Sequence, residues 1–336
     1  MKKLLAYMAA ALGLSALAAC GGTVDRPTTA TGAPYEIVVS VAQPQWDGAV
    51  GDTLRAVLLE EVPMLNQAEP QFDVLRIVPA GMDKFIRRHR NILLVRVGGQ
   101  YPSEQISVAY DVYSRPQVVV TMSAPDDASM AAFISDNRRE LAELFLVTER
   151  ERALSSARAY KEKALEQQVM RMFGMKIDIP RGYRLRNVAD DDFIWMSNEY
   201  PQASQGLVIY SYPYTGRQDF EPGHLIAARA RFVSLIPGPS EGSYMVTSPY
   251  IDPQISYMRI DGRFWAELRG FWDVENDFMG GPMVSYSTLD TRTNRVVTLD
   301  LYVYSPKQHK RNLLRGLESI IYSVEFPEEE PASESR

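Results

Sequence analysis

Three extended stretches decide the fold of the second half of the chain: RFWAELRGFWD at residues 263–273, MVSYSTL at 283–289 and RVVTLDLYVY at 295–304. Each stretch is rich in aromatic and β-branched residues, and short turn-forming segments separate them. They therefore predict a twisted antiparallel sheet. Further strands of this half are predicted at residues 175–179, 194–196 and 207–212.

A terminal helix is predicted to follow this sheet. Ser305 is placed as an N-cap, Pro306 at the first helical position and Gln308 as the partner in a capping box. The apolar stripe that we expect to pack on the sheet consists of Leu313, Leu317, Ile320, Ile321 and Val324. Residues 327–336 are acidic and have nothing to bury, so they predict a disordered tail.

The first half of the chain alternates strands and helices. Residues 35–41 predict a strand, and a helix is expected to open at Asp52 or Thr53 and to close at Pro63. Further strands are predicted at residues 72–78, 92–97, 106–113 and 117–122, the last two as a hairpin.

A long helical segment ends the first half. Residues 125–173 contain no helix breaker, and Gly174 ends the run. A single helix of this length would span about 70 Å, so we expect a bend or a split near Val147 and Thr148.

The predicted fold class is α+β, in two domains. An N-terminal α/β domain with the long helical segment covers residues 34–173, and a C-terminal antiparallel sheet packed by a terminal helix covers residues 174–326. The chain has 336 residues and is 46% hydrophobic, which suffices for two cores.

The N-terminus has the pattern of an export signal. A positively charged start precedes an apolar run at residues 4–17, which is shorter than the roughly 20 apolar residues that cross a membrane. We therefore predict a signal peptide at residues 1–19. The sequence LAAC at residues 17–20 resembles the lipobox of bacterial lipoprotein precursors, so Cys20 is the predicted lipidation site. Residues 20–33 are small and polar and predict a lipidated flexible tether.

Composition excludes several classes of function. Cys20 is the only cysteine, so a disulfide or a thiolate metal site is excluded. The formal charge is -6, and no basic block is present, which argues against nucleic acid as a partner. No P-loop, dinucleotide fingerprint or zinc spacing occurs, so no cofactor and no metal is predicted.

Candidate catalytic groups are few. Residues 238–242, GPSEG, match the pattern that presents a nucleophilic serine, here Ser240, but prolines crowd the turn and the next residues predict extended chain where a helix is required. A base would have to be one of the three histidines, His89, His224 and His309.

Acidic residues offer a second, weaker set of candidates. Asp273, Glu275 and Asp277 alternate as in some calcium loops, but the glycine and glutamate of an EF-hand are missing. We interpret them as solvated acids of a hairpin loop. Residues 190–192, three aspartates, predict a charged turn.

A mixed aromatic and charged face is the most informative feature. Alternate residues of a strand point the same way, so residues 263–273 place two aromatics and three charges on one face. This candidate binding face consists of Trp265, Glu267, Arg269, Phe271 and Asp273, and we expect Asp300, Tyr302 and Tyr304 to extend it. Aromatics among charges suit recognition, and a half-covered sheet face with paired charges is an equally good interpretation.

A family resemblance rests on five stretches: YEIVV at 35–39, NQAEPQF at 66–72, RNIL at 90–93, IDGRFW at 260–265 and GFWDVENDFMGGP at 270–282. They resemble an uncharacterised lipoprotein family of the Bacteroidetes, recorded as a domain of unknown function. The stretch GMKIDIPRGY at 174–183 is similar to the opening of PsbP-like and Mog1-like domains. Those domains are α+β and usually act as binding or assembly modules.

Two functions are consistent with these observations. We expect a membrane-anchored lipoprotein of the cell envelope, a non-catalytic binding or assembly module with an envelope protein or a glycan as its partner. The resemblance to a Bacteroidetes family also bears on the location, because surface lipoproteins of that group often carry acidic residues directly after the lipidated cysteine. Residues 21–24, GGTV, are not acidic, so the resemblance implies the periplasmic face of the outer membrane rather than the cell surface. The alternative is an envelope hydrolase that uses Ser240, or the carboxylates Glu267 and Asp273.

Overall fold

The computed structural model describes residues 28–327, which form two compact units. The first unit comprises residues 28–62 and 70–152, and the second comprises residues 63–69 and 153–327. Both contain helices and strands, and the predicted α+β class is confirmed. The predicted signal peptide, Cys20 and the acidic tail after Pro327 lie outside the described residues.

A five-stranded sheet forms the centre of the first unit. Its strands are β1 (Glu36–Ser40), β2 (Asp73–Ile77), β3 (Asn91–Val97), β4 (Gln105–Tyr110) and β5 (Val118–Ala124). They lie in the order β2-β1-β3-β5-β4, and all neighbours are parallel except the pair β4 and β5. This antiparallel pair confirms the predicted hairpin.

Helices cover one face of this sheet. They are α1 (Gln43–Asp47), α2 (Ala49–Leu58), α3 (Asp127–Asp136) and the first part of α4 (Arg138–Ala159). Their apolar residues Leu54, Ile134 and Phe145 share one core with Val39 of β1 and with Val41, which directly follows this strand. Short 3₁₀ turns at Pro79–Gly81 and Ile86–Arg88 lie against the other face.

The prediction for the first long helix was wrong by one turn. It begins at Ala49 instead of Asp52 or Thr53, and it ends at Leu58, before Pro63. Gly51 lies in the first turn of this helix, and a Cβ atom there would lie 1.9 Å from the carbonyl oxygen of Trp46. The glycine belongs inside the helix and allows α1 and α2 to pack closely.

The long helical segment splits twice, and neither break lies at the predicted position. The first break is at Asn137, whose backbone and side-chain N–H groups both donate to the carbonyl oxygen of Phe133. The second follows Ala159, where the N–H of Glu162 donates to the carbonyl oxygen of Ile179. Thr148 lies inside α4, where its hydroxyl donates to the carbonyl oxygen of Leu144 without interrupting the helix.

The end of the predicted tether belongs to the fold. Thr29 and Thr31 form bridges with Arg115 and His89, so residues 28–33 are part of the first unit and the predicted range 20–33 is too long. Gly32, at φ +93°, packs on the ring of His89 so closely that a Cβ atom would lie 2.2 Å from Nε2. Only glycine combines this conformation with this contact.

An antiparallel sheet of eight strands forms the second unit. Its strands are β6 (Arg184–Ala189), β7 (Phe193–Tyr200), β8 (Ala203–Pro213), β9 (Tyr244–Thr247), β10 (Gln254–Ile260), β11 (Arg263–Glu275), β12 (Gly280–Asp290) and β13 (Arg295–Tyr304). Their order is β10-β11-β12-β13-β8-β7-β6, and β9 pairs with β11 beyond the end of β10. The three stretches that predicted the sheet are β11, β12 and β13, and the predicted strands at 194–196 and 207–212 lie within β7 and β8.

The predicted strand at residues 175–179 is absent. Only an isolated bridge between Lys176 and Glu325 forms there, because no neighbouring strand continues the pairing. Strands β6 and β10 were not predicted, since their composition is too polar for a clear apolar pattern. Strand β9 lies in the stretch after residue 242 that was predicted to be extended.

Helices bury both faces of the eight-stranded sheet. On one face, the α7 face, lie α5 (Lys163–Phe173) and α7 (Arg311–Ile321), which share a core with Trp265 and Leu299. On the other, the α6 face, lies α6 (Pro222–Val233), which shares a core with Trp272. Gly174 ends α5 in a left-handed conformation, as predicted.

The position of α5 bears on the domain division. The sequence predicts a boundary after Phe173, whereas the compact units divide at residues 152 and 153. Val169 and Phe173 of α5 lie in the core that contains α7, so this helix packs with the second unit.

An ion pair crosses the core of the α6 face. Arg229 and Asp300 are both fully buried, with Nε donating to Oδ2 at 2.7 Å. Ser285 donates its hydroxyl to the same carboxylate, and Arg229 Nη1 donates to Thr247 Oγ1 at 2.8 Å. Both charged groups are therefore hydrogen-bonded although they are buried away from water.

A glutamate from a distant part of the sequence caps the terminal helix. Glu69 is 2% exposed, and its carboxylate accepts hydrogen bonds from the N–H groups of Lys310 at 2.7 Å and Arg311 at 3.0 Å. The helix therefore begins at Arg311, and the predicted cap at Ser305 was wrong. The negative charge of this carboxylate also interacts favourably with the positive end of the helix dipole.

The substitution Glu69→Gln tests this cap. We expect it to lower the free energy of unfolding of the second unit by about 1–2 kcal/mol, since it removes the charge from two capping hydrogen bonds. Urea unfolding followed by tryptophan fluorescence measures it, because Trp195, Trp265 and Trp272 lie in this unit.

Glu61→Gln is the matched control, because Glu61 is exposed. If both variants lose the same free energy, or neither loses any, the carboxylate of Glu69 does not stabilise the start of α7.

Candidate ligand-binding site

The predicted binding face is largely covered. Trp265, Glu267, Arg269, Phe271 and Asp273 occupy alternate positions of β11, on the α7 face. Trp265 is 1% exposed and Phe271 is 9% exposed. The expectation that these residues form an accessible surface is therefore corrected.

Ion pairs explain why charges occur on a covered face. Arg269 Nε donates to Glu267 at 3.2 Å, and its Nη2 donates to Glu318 of α7. Burial alone would lower the pKa of Arg269, but the neighbouring carboxylates of Glu318 and Glu267 raise it above its usual value. The alternation of aromatics and charges thus reflects a sheet face that pairs with a helix.

Tyr302, Asp300 and Tyr304 do not extend this face. Tyr302 pairs with Met283, which pairs with Gly270, so these residues lie on the α6 face. Tyr302 packs over Gly206, where a Cβ atom would lie 1.9 Å from its ring, and its hydroxyl accepts a hydrogen bond from Trp195 at 2.9 Å.

The candidate serine lacks a base. Ser240 donates its hydroxyl to Asp277, and the chain after it forms strand β9 instead of a helix. Within residues 28–327 no histidine hydrogen-bonds to Ser240, and His224 lies exposed on α6. The structure does not bring these residues together as a catalytic group.

The carboxylates of the hydrolase alternative are also apart. Glu267 and Asp273 lie six positions apart on one strand, which corresponds to about 20 Å. Paired carboxyl groups that cleave glycosidic bonds lie about 5–10 Å apart. Asp277 belongs to the hairpin between β11 and β12, and over the described range no three His, Cys, Asp or Glu side chains form a metal-binding group.

An open cleft in the second unit brings different residues together. It has a volume of about 930 Å³, within the range of small-molecule sites. The cleft lies on the α6 face, where β10 and β11 meet the 3₁₀ helix Arg217–Phe220. Its lining residues, which define the aromatic cleft, include Tyr214, Arg217, Phe220, Glu221, Tyr257, Arg259, Asp261, Arg263, Phe264 and Leu289.

Aromatic side chains form the apolar part of the cleft. Phe264 contacts Phe220 edge-on with ring centroids 5.2 Å apart, and it stacks with Tyr257 at 5.9 Å. Tyr257 is 54% exposed, yet its hydroxyl donates to the carbonyl oxygen of Phe220 at 3.2 Å. The ring is therefore held in place while much of it faces solvent.

A buried aspartate shapes the loop beside these rings. The Asp219 carboxylate accepts hydrogen bonds from the N–H of Thr215 at 2.6 Å, the hydroxyl of Thr215 at 2.9 Å and the N–H of Gly216 at 3.2 Å. These bonds close the turn that places Phe220 in the cleft and Arg217 at its edge.

The three arginines of the cleft differ in how many contacts their guanidinium groups already make. Arg263 donates to the carbonyl oxygen of Leu289 at 3.0 Å and lies 4.3 Å from the ring centroid of Phe326, and burial lowers its pKa. Arg259 donates Nη1 to the carbonyl oxygen of Gly262 at 2.7 Å. Among the described residues, Arg217 has no hydrogen-bond or ion-pair partner. Two guanidinium groups thus keep donors for a ligand.

Two other clefts contain charges that already pair internally. One, of about 630 Å³, includes Arg292, which pairs with Asp290 at 2.9 Å. The other, of about 720 Å³, includes Lys161, which contacts Asp178 at 3.1 Å and Glu166 at 3.2 Å. The aromatic cleft is the better candidate because it combines exposed rings with unengaged donors.

The sequence contained a signal for this cleft that went unused. Tyr257 and Arg259 alternate in the stretch QISYMRI, and their strand pairs with the one that contains Phe264. They lie on the face of β11 opposite to the predicted binding face, which contains Trp265. Only the pairing of β10 with β11 shows that the three residues share a face.

The burial of Trp265 gives a second prediction. Trp265→Ala is expected to lower the free energy of unfolding by about 3–5 kcal/mol, because it leaves a large cavity beneath α7. Urea unfolding followed by far-UV circular dichroism measures the loss.

Tyr250→Ala is the control, since Tyr250 is 85% exposed. A change in Trp265→Ala as small as that of the control would mean that the face of β11 is open, as first expected from the sequence.

Comparison with known proteins assigns no activity. No curated protein matches the chain. A crystal structure from Bacteroides thetaiotaomicron VPI-5482 has 9% identity and a TM-score of 0.26, and 46% of each chain is covered. LpqN, involved in cell envelope biogenesis of Mycobacterium tuberculosis, has 12% identity and a TM-score of 0.28, with 45% of this chain and 81% of that chain covered. The chain thus spans less than half of the first of these structures.

No helix of residues 28–327 has the length and apolar character to cross a membrane.

Family models match both parts of the chain. Both matches are to domains of unknown function, as the resemblance in the sequence implies. Residues 30–158 match the domain of unknown function DUF8532, and residues 162–323 match the domain of unknown function DUF4837, so two such domains account for most of the described chain.

Proposed function

We propose that this protein is a lipid-anchored binding module of the bacterial cell envelope, with the aromatic cleft as its binding site. The lipid on Cys20 would hold it at the periplasmic face of the outer membrane. Its partner would be an envelope glycan or an envelope protein, and it would act without catalysis.

The aromatic cleft is the observation that carries this proposal. Tyr257 is both exposed and fixed by its hydrogen bond to Phe220, so little conformational entropy is lost when a ligand stacks on it. Arg217 and Arg259 supply directional donors at the same opening. Apolar area combined with a few polar groups is typical of sites that recognise one ligand.

The geometry of the alternative sites favours binding over hydrolysis. Ser240 is engaged with Asp277, and Glu267 is engaged with Arg269, so neither group is poised to react with a substrate. A hydrolase would need a nucleophile or acid that converges with a base.

Cys20→Ala tests the anchor. The variant is expected to move from the membrane pellet to the soluble fraction, because acylation needs the thiol. Immunoblots of fractionated cells measure the shift, and intact mass of the wild-type protein shows the lipid.

Thr23→Ala, three residues away, is the matched control and should remain in the pellet. A Cys20→Ala protein that also stays in the pellet would contradict lipid anchoring through this residue.

Photo-crosslinking in living cells tests the cleft. A protein with p-benzoylphenylalanine in place of Tyr257 is expected to form a discrete adduct with an envelope component. The same replacement at Tyr250, which is exposed outside the cleft, should not form it. Identical adducts at both positions, or none at position 257, would contradict the cleft as the binding site.

A further inference from the structure

The ring of Tyr257 offers a flat platform for a ligand. One side of the ring stacks toward Phe264 with an angle of 20° between the planes, and 54% of the side chain remains exposed. Aromatic faces carry negative charge and attract the weakly positive C–H groups of a partner. A sugar ring presents such C–H groups on a flat face, so its dimensions and chemistry suit this platform.

Two arginines beside the platform fit a carboxylate. Arg217 and Arg259 are both exposed, and their guanidinium groups present planar pairs of N–H donors. A carboxylate accepts two such hydrogen bonds side by side. A neutral ligand would give the two guanidinium groups no negative charge to pair with, so a carboxylate suits them better.

Two acids at the same opening limit the charge density of the ligand. Glu221 and Asp261 line the cleft with the three arginines, so its formal charge is 3 − 2 = +1 on a chain with a formal charge of -6. Carboxylates accept hydrogen bonds from hydroxyl groups and repel closely spaced phosphates. The cleft therefore favours a ligand that combines hydroxyl donors with isolated carboxylates.

From these three observations we infer that the aromatic cleft binds an acidic saccharide, with a sugar ring on Tyr257 and its carboxylate on Arg217 and Arg259. This inference rests on the proposed function and names the chemical class of its ligand. Glu221 and Asp261 accept hydrogen bonds from the sugar hydroxyls.

Calorimetry with matched probes tests the inference on the full chain purified in detergent. The probes are a short oligogalacturonate, its methyl ester, a neutral glucose oligomer of equal length, and polyphosphate. Oligogalacturonate is expected to bind at least about tenfold more tightly than its ester, because esterification removes the charge that the arginines recognise. Its affinity should fall as salt is raised.

Variants assign the binding to the cleft. Arg217→Gln, Arg259→Gln and Tyr257→Ala should each weaken oligogalacturonate binding by about tenfold. Arg184→Gln and Tyr250→Ala remove the same side-chain types from exposed positions outside the cleft and should leave binding unchanged. Circular dichroism checks that each variant is folded, and the two arginine variants alter only exposed side chains.

Four outcomes would overturn the inference. Equal binding of the ester would exclude carboxylate recognition, and tighter binding of polyphosphate would exclude a saccharide. Absence of any oligogalacturonate binding, with the Tyr257 photo-adduct still present, would reject the acidic saccharide and leave the proposed function standing. Loss of both would reject the cleft itself.

Discussion

The burial of both faces of the eight-stranded sheet is the constraint on which the second unit depends. Helices α5 and α7 lie on one face and α6 on the other, so a charge that points out of a strand enters a core instead of water. Each such charge must then meet an opposite charge. Arg269 meets Glu318 of α7, and Asp300 meets Arg229 of α6. The sheet, its covering helices and its internal charges therefore form one system in which no member is independent of the others.

This constraint also decides where a ligand has access. With both faces covered, the accessible aromatic residues lie at the rim, where the edge strand β10 and the loop before α6 leave Phe264 and Tyr257 partly uncovered. The rim residues come from the loop before α6 and from the hairpin of β10 and β11, and Phe220 and Phe264 also contact the core of the α6 face. The hydrogen bonds of the buried Asp219 carboxylate fix the turn beside these residues. The division between a covered, paired interior and a structured rim is what a binding scaffold requires.

Local patterns predicted much of the fold, and distant contacts account for the errors. The strands β11 to β13, the hairpin of β4 and β5 and the end of α5 follow from alternation and turn residues in the sequence. The start of α7 does not, because its cap is Glu69, which lies 241 residues before Lys310. The face of β11 was misjudged for the same reason, since the helix that covers Trp265 comes later in the chain. The cleft required knowing that β10 pairs with β11, which residue composition does not reveal.

The Arg229–Asp300 pair has a consequence for how the strands align. Asp300 lies opposite Ser285 of β12 and Val208 of β8. If β13 moved by one residue, a leucine would face the buried guanidinium, and if it moved by two, Thr298 or Tyr302 would. Either shift would leave a charge unpaired in the core and would lower the free energy of unfolding by about 3–5 kcal/mol. Asp300 is the fully buried charge of β13, and it distinguishes the native alignment of this strand from the adjacent ones.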